Sequence, residues 1–397
     1  MNERQAYRAR WVFPGDGPPL ERGVIEIEAG RITAVHDRAD SAARDLGDVA
    51  IVPGLVNAHT HLEFSDLSQP IAPALPFTEW IRALVANRRN RDTSTSGVAA
   101  GKREAERTGT TVLGEIASLG WDPAEFSPPG TRFVVFQEIL GLAAAQHDPQ
   151  LALAHEHLQQ PQRDRLVYGL SPHAPYSVRP PLYAALVQLA VKHQCPLAVH
   201  LAETRAELEL LGSGNGEFVD MLREFGVWDP TAIPNGSRPL DYLRPLRDIK
   251  HALAIHGNYL DNEEIAFLAA HPNITVVYCP RTHAYFGHEP HPWQRMLQAG
   301  VSVAIGTDSR GSNPDLNLWR ELQYLRRTFP NFEPAELLAL GTLNGARALG
   351  LDGEIGTLTP GKSADMAVVA LNSAAGKLFA PETEVTATMC GGAWITR

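Results

Sequence analysis

The chain has 397 residues, 44% of them apolar and 20% charged, the balance of a folded protein with a sizeable core. Its formal net charge of −10 argues against general affinity for nucleic acid or anionic membranes. No apolar stretch approaches the roughly 20 residues that span a bilayer, and residues 1–8 lack an apolar leader segment, so no membrane partner is expected and the expected location is cytoplasmic.

From about residue 5 to 51, short alternating runs are broken by turns. Segments 10–13, 23–30 and 31–35 read as small antiparallel strands, with Glu28-Ala-Gly-Arg as a hairpin turn. Segments 356–365, 366–370 and 385–392 have the same texture at the other end of the chain. Neither end is long enough for a β-module alone, so residues 1–52 and 351–397 are expected to join in one composite β-sandwich.

Across 53–350 the texture changes to alternating strands and helices, the pattern of parallel β/α architecture. The expected strands are 51–58, 110–116, 133–139, 166–170, 197–201, 252–257, 274–279 and 301–306. The expected helices are 78–90, 98–107, 180–193, 205–225, 262–271, 293–299, 316–328 and 334–349. This count and length predict an α/β fold, a (β/α)8 TIM barrel. A doubly wound open sheet is the alternative, but no G-x-G-x-x-G follows the first strand. Segments 212–216 and 229–239 read as surface insertions able to cover a pocket.

Barrel enzymes carry their chemistry at the C-terminal ends of the strands. His59 and His61 end the first strand, and two residues apart on extended backbone they point the same way. His173 follows the fourth strand, His200 ends the fifth, His256 the sixth and Asp308 the eighth. Singly, each of these histidines reads equally well as a hydrogen-bonded core residue; together they do not. His59, His61, His200 and Asp308 would hold one divalent metal with a position left open for water, which the metal acidifies toward neutral pKa. No lysine lies in 166–178, so a lysine-bridged pair of metals is not expected.

Glu203, three residues beyond His200, would stand beside that water and protonate a ring nitrogen of the substrate; a helix-start charge is its alternative. His256 would hydrogen-bond the water or the tetrahedral intermediate, and Asp308 would also take the water's proton. This combination adds water to a C=N carbon and expels ammonia. Cys195, Cys279 and Cys390 lie far apart and read as small buried hydrophobes in a reducing compartment.

These residues resemble the amidohydrolase superfamily, in its mononuclear-metal deaminase and chlorohydrolase branch. The likeness covers nearly the whole chain. It rests on Val52-Pro-Gly-Leu-Val-Asn-Ala-His-Thr-His, Ser171-Pro-His-Ala-Pro-Tyr-Ser, His200-Leu-Ala-Glu-Thr, Ile255-His-Gly, Ile305-Gly-Thr-Asp-Ser and Gly356-Thr-Leu-Thr-Pro-Gly-Lys-Ser-Ala-Asp. The resemblance implies zinc, or else iron, on His59, His61, His200 and Asp308, with proton transfers by Glu203, His256 and Asp308. It also implies substrate contact by His173, ribose binding by Glu79 ahead of Trp80, and a homodimer as the family's habit.

Two departures bear on the substrate. Where S-adenosylhomocysteine deaminases use arginines near the third strand, this chain has Gln137 and Glu138. After the seventh strand it reads Cys279-Pro-Arg-Thr-His instead of Cys-Pro-x-Ser-Asn. Arg281, His283 and His288 are therefore candidates for binding an anionic or oxygen-rich tail, with ordinary loop residues as the alternative. His193, His271 and His291 read as surface histidines. The expected function is metal-dependent deamination of a small aminated heterocycle, purine- or adenosine-like. A chlorohydrolase or amide hydrolase on the same site is the competitor, and a catalytically silent scaffold the third reading.

Overall fold

The apolar run expected as one strand over 51–58 serves two sheets. Val49–Pro53 pairs with Met366–Ala370, while Leu55–Thr60 enters a second sheet beside Thr110–Ala117. The break falls at Gly54, where an added Cβ would stand 2.3 Å from the Thr111 hydroxyl, so only a residue without a side chain fits. This computed structural model describes residues 4–38, 41–90, 96–118, 120–126 and 130–396.

The second sheet has eight parallel strands in sequence order. They are β1 (Leu55–Thr60), β2 (Thr110–Ala117), β3 (Arg132–Ile139), β4 (Leu166–Pro172), β5 (Leu197–Leu201), β6 (Ala252–His256), β7 (Ile274–Tyr278) and β8 (Ser302–Ile305). A bridge between Thr60 and Asp308 closes the ring, with the Thr307 and Asp308 N–H groups each 3.1 Å from the His59 carbonyl. Near-continuous Val, Ile, Leu and Ala runs suit strands buried on both faces. Val199, Ala254, Val276 and Val303 pack with helix residues such as Leu186, Leu268 and Leu322. Their alternates Ala198, Leu253, Ile255, Val277 and Ala304 form a separate cluster with Val56, Val112 and Phe136, on the inward face of the barrel.

Both chain ends meet in a six-stranded sheet ordered Ala393–Thr396, Val385–Cys390, Met366–Ala370, Val49–Pro53, Trp11–Val12, Leu20–Glu21. A four-stranded sheet from the N-terminal segment lies against it, and Tyr7, Ile25, Ile27, Ile51, Met366 and Met389 pack between the two. The hairpin at Glu28-Ala-Gly-Arg is present, with Ala29 and Gly30 at φ 52° and 75°, the left-handed pair that a two-residue turn needs. Segment 356–365 is not a strand; it crosses as an irregular strap whose Leu358 and Ala364 are buried.

Two expected helices are each broken. Arg205–Ser213 and Glu217–Glu224 are separated where Gly214 and Gly216 take φ 65° and 94°. Pro334–Leu340 and Leu343–Ala348 are separated at Gly341-Thr342, where the Thr342 hydroxyl donates to the Leu338 carbonyl. A helix that is not among those expected, His147–Leu158, follows β3. Among the described residues no helix is long and apolar enough to cross a membrane.

Candidate active site

The C-terminal ends of β1, β5, β6 and β8 bring five side chains to one point. His59 Nε2 lies 3.6 Å and His61 Nε2 3.8 Å from Asp308 Oδ1. The His200 ring centroid is 4.9 Å from that of His59 and 5.5 Å from that of His61. Ligand atoms of His59, His61 and Asp308 all lie within 4.8 Å of one another, as do those of His59, His200 and His256. His256 and Asp308 sit at φ 68° and 58°, a left-handed backbone that non-glycine residues rarely adopt. Such strain gathers at functional sites, where the surrounding structure enforces it.

The donor chemistry fits a divalent metal. Both ring nitrogens of His59 are buried without a hydrogen-bond partner, an arrangement that costs free energy unless something else satisfies them. The His200 Nδ1–H donates to the His173 carbonyl at 3.0 Å, which leaves its Nε2 lone pair for a ligand. Burial holds the His200 pKa down to about 4, and those of His59, His61 and His256 well below the ordinary imidazole value, so these rings stay neutral. Asp308 is oriented through both oxygens: Oδ1 accepts the Ser309 N–H at 2.8 Å and Oδ2 the Ser312 hydroxyl at 3.0 Å. Neutral imidazoles with one carboxylate are the set that a catalytic metal takes, and among the described residues no lysine lines the cavity above it.

Glu203 follows β5 on a loop fixed from below. The Glu207 carboxylate accepts the Ala202 N–H at 2.8 Å and the Glu203 N–H at 2.9 Å, and Asn258 Nδ2 donates to the Glu203 carbonyl at 2.9 Å. The Glu203 side chain is buried, with Oε1 3.5 Å from His256 Nε2. Desolvation, reinforced by the charges of Asp308 and Glu207, raises its pKa well above the usual carboxyl range, which favours a protonated acid.

A cavity of about 500 Å³ opens over this cluster. Phe77, Trp80, Leu84, Tyr176, Met221 and Phe225 give it an apolar, largely aromatic wall. Glu63, Arg88, Glu138 and His173 make a polar one. His173 therefore faces the cavity, its ring centroid 4.8 Å from that of His200.

Four other expected site residues point elsewhere. Helix Phe77–Asn90 turns Phe77, Trp80, Leu84 and Arg88 to the cavity, a spacing that leaves Glu79 on the other side. Glu79 is half exposed and pairs with Arg82 at 3.2 Å. Arg281 is drawn under the loop after β8, with Nε 2.6 Å from Glu321 Oε1 and its terminal nitrogens on Asp315. His283 is tied through Nε2 to the Glu289 carbonyl at 2.9 Å, and His288 Nδ1 lies 3.1 Å from the Tyr259 hydroxyl. Neither lines the cavity. His291 is buried, not on the surface: Nε2 lies 2.8 Å from the His256 carbonyl, and the ring stacks 4.0 Å from Tyr278.

The Arg281–Glu321 pair matters to the fold because Glu321 is fully buried. Arg281→Met is expected to destabilise the protein by about 3–5 kcal/mol, the cost of a buried charge left without its partner. Urea unfolding of the two proteins checks this, and an unchanged midpoint would refute it.

The sequence reading missed several residues that build the site. Arg88 follows Trp80 and Leu84 at helical spacing, and that periodicity could have found it. Glu115, whose two oxygens lie 2.9 and 3.1 Å from the Leu62 nitrogen, anchors the turn after His61 across β1 and β2; nothing local marks it.

The profile of the amidohydrolase family matches residues 50–395. The 5-methylthioadenosine/S-adenosylhomocysteine deaminase of Moorella thermoacetica is 32% identical over 380 residues, covering 90% of this chain and 83% of that protein. The aminodeoxyfutalosine deaminase of Nitratiruptor sp. is 29% identical over 339 residues, covering 81% of this chain and 79% of its own length. Among solved structures, a zinc-bound adenosine deaminase from Xanthomonas campestris matches with a TM-score of 0.81 at 26% identity, across 98% of this chain and 92% of that one. With its metal-capable cluster at the barrel's C-terminal end and a profile match across most of its length, this chain belongs to the amidohydrolase family.

Proposed function

We propose that the protein is a zinc-dependent hydrolytic deaminase of adenosine-like nucleosides, releasing ammonia from the amino-bearing carbon of the purine. The observation that carries this reading is the buried Glu203 carboxyl, with Oε1 3.5 Å from His256 Nε2, beside the cluster of His59, His61, His200 and Asp308. Deamination needs an acid at the ring nitrogen and a base at the attacking water, held apart in one site. The names of the relatives agree with that chemistry.

His59, His61, His200 and Asp308 would hold the zinc; imidazole nitrogens with one carboxylate suit it, and the Xanthomonas campestris protein contains it. When bound, the ion acidifies a water molecule. Asp308 accepts the proton of the attacking water and returns it to the departing amine. Glu203 donates a proton to the ring nitrogen next to the amino-bearing carbon and recovers one from the new hydroxyl as the carbonyl forms. His256 Nε2 lies 3.5 Å from Glu203 Oε1 and hydrogen-bonds the oxygen that forms on the substrate carbon. The aromatic wall receives the flat base and excludes water.

The test is ammonia release from adenosine, 5′-methylthioadenosine, 5′-deoxyadenosine, guanine and cytosine, with chloride release from a chlorotriazine measured alongside. At least one adenosine derivative is expected to reach a kcat/KM of about 10⁴ M⁻¹ s⁻¹ or more. Chloride release without ammonia from any nucleoside would change the leaving group and overturn the reading.

A further inference from the structure

We propose that Glu138 and His173 form a subsite for the vicinal hydroxyls of the substrate's sugar, with Arg88 as the residue that positions it. The inference rests on the nucleoside deaminase reading and goes beyond it, since it names which part of the substrate the polar wall recognises.

His173 is held by Ser177. The Ser177 hydroxyl lies 2.8 Å from His173 Nδ1, 3.1 Å from the Ala174 carbonyl, and accepts the Ala174 N–H at 3.2 Å. With Nδ1 engaged there, Nε2 is the ring nitrogen turned to the cavity, and it faces Glu138 Oε1 at 4.0 Å.

Glu138 reaches this position through Arg88. The guanidinium grips Glu63 through two bonds of 3.0 and 2.5 Å and reaches Glu138 Oε2 at 3.4 Å. That leaves Glu138 Oε1 with no hydrogen bond of its own among the described residues. The carboxylate is largely buried, its side chain 9% exposed, and lines the cavity, where Oε1 is open to a ligand.

A carboxylate oxygen and an imidazole nitrogen 4.0 Å apart, both on the cavity wall, suit a ligand with two adjacent groups that can each donate and accept. The vicinal hydroxyls of a pentofuranose are such a pair: one donates to Glu138 Oε1 and the other bonds His173 Nε2. The place is right for a sugar: His173 flanks His200, one side chain outward from the point where the base must react. Glu79, which the resemblance offers for this task, is on the far side of its helix.

The experiment compares kcat/KM for the best nucleoside of the ammonia screen with that for its 2′,3′-dideoxy analogue, in the wild-type protein and in Glu138→Gln. The wild type is expected to prefer the hydroxylated compound by about ten- to a hundredfold, the size of hydrogen bonds to a charged group. In Glu138→Gln that preference should collapse to a few-fold, mostly through KM. Equal losses on both compounds would mark Glu138 as structural and overturn the subsite. A wild type indifferent to the hydroxyls would also overturn it while leaving the deaminase reading intact. A wild type that releases ammonia from no nucleoside removes that reading, and the subsite with it.

Discussion

Glu203→Gln keeps its full complement of metal and loses about 10²- to 10⁴-fold in kcat, the range for removing a positioned general acid. Glutamine preserves the shape of the side chain but has no acidic proton to give. The loop should not move, because the Glu207 carboxylate bonds the backbone N–H groups of Ala202 and Glu203, not the Glu203 side chain. Elemental analysis and steady-state ammonia release on one preparation separate the outcomes. Near-normal turnover would remove the proton-transfer role, and loss of the metal together with activity would recast Glu203 as a ligand.

His59→Ala is expected to have the second large effect, on the metal itself. His59 is fully buried, shares both groups of metal-capable residues and leaves two ring nitrogens unsatisfied. Losing an outer-shell partner typically weakens a metal by about 10- to 100-fold, and losing a ligand should exceed that. Purified wild-type protein should carry about one metal ion per chain, the count expected of a mononuclear catalytic site. The variant should carry far less after dialysis against a weak chelator. Unchanged metal content in the variant would move the site toward His200 and His256.

The metal-capable cluster was legible because its residues end apolar strands. A His or Asp after such a run is visible in the sequence, and barrel geometry gathers the strand ends. The cavity walls were not legible in this way. Whether Glu79 or Arg88 faces the cavity depends on which side of one helix packs inward, and both follow a plausible pattern. Arg281 stands next to a strand end, yet its direction is set by Glu321, forty positions later in the chain. The double use of 49–60 was hidden because Gly54 interrupts an apolar run by its lack of a side chain and not by polarity. His291 looked external from its polarity; its burial follows from pairing with the His256 carbonyl and stacking on Tyr278.

The sheet that joins the two chain ends also orders events during synthesis. Val49–Pro53 emerges early, but its hydrogen-bonding neighbour Met366–Ala370 is made only near the end of translation. Until then the early strand has an open edge on that side, an aggregation hazard of the kind that unpaired strands create. Through Gly54 this same strand leads directly into β1, which carries His59 near its C-terminal end with His61 just beyond it. The nascent chain can therefore make all eight barrel strands while the strand that precedes β1 still lacks this neighbour. The sheet that receives both chain ends is thus completed only after every strand of the barrel has been made.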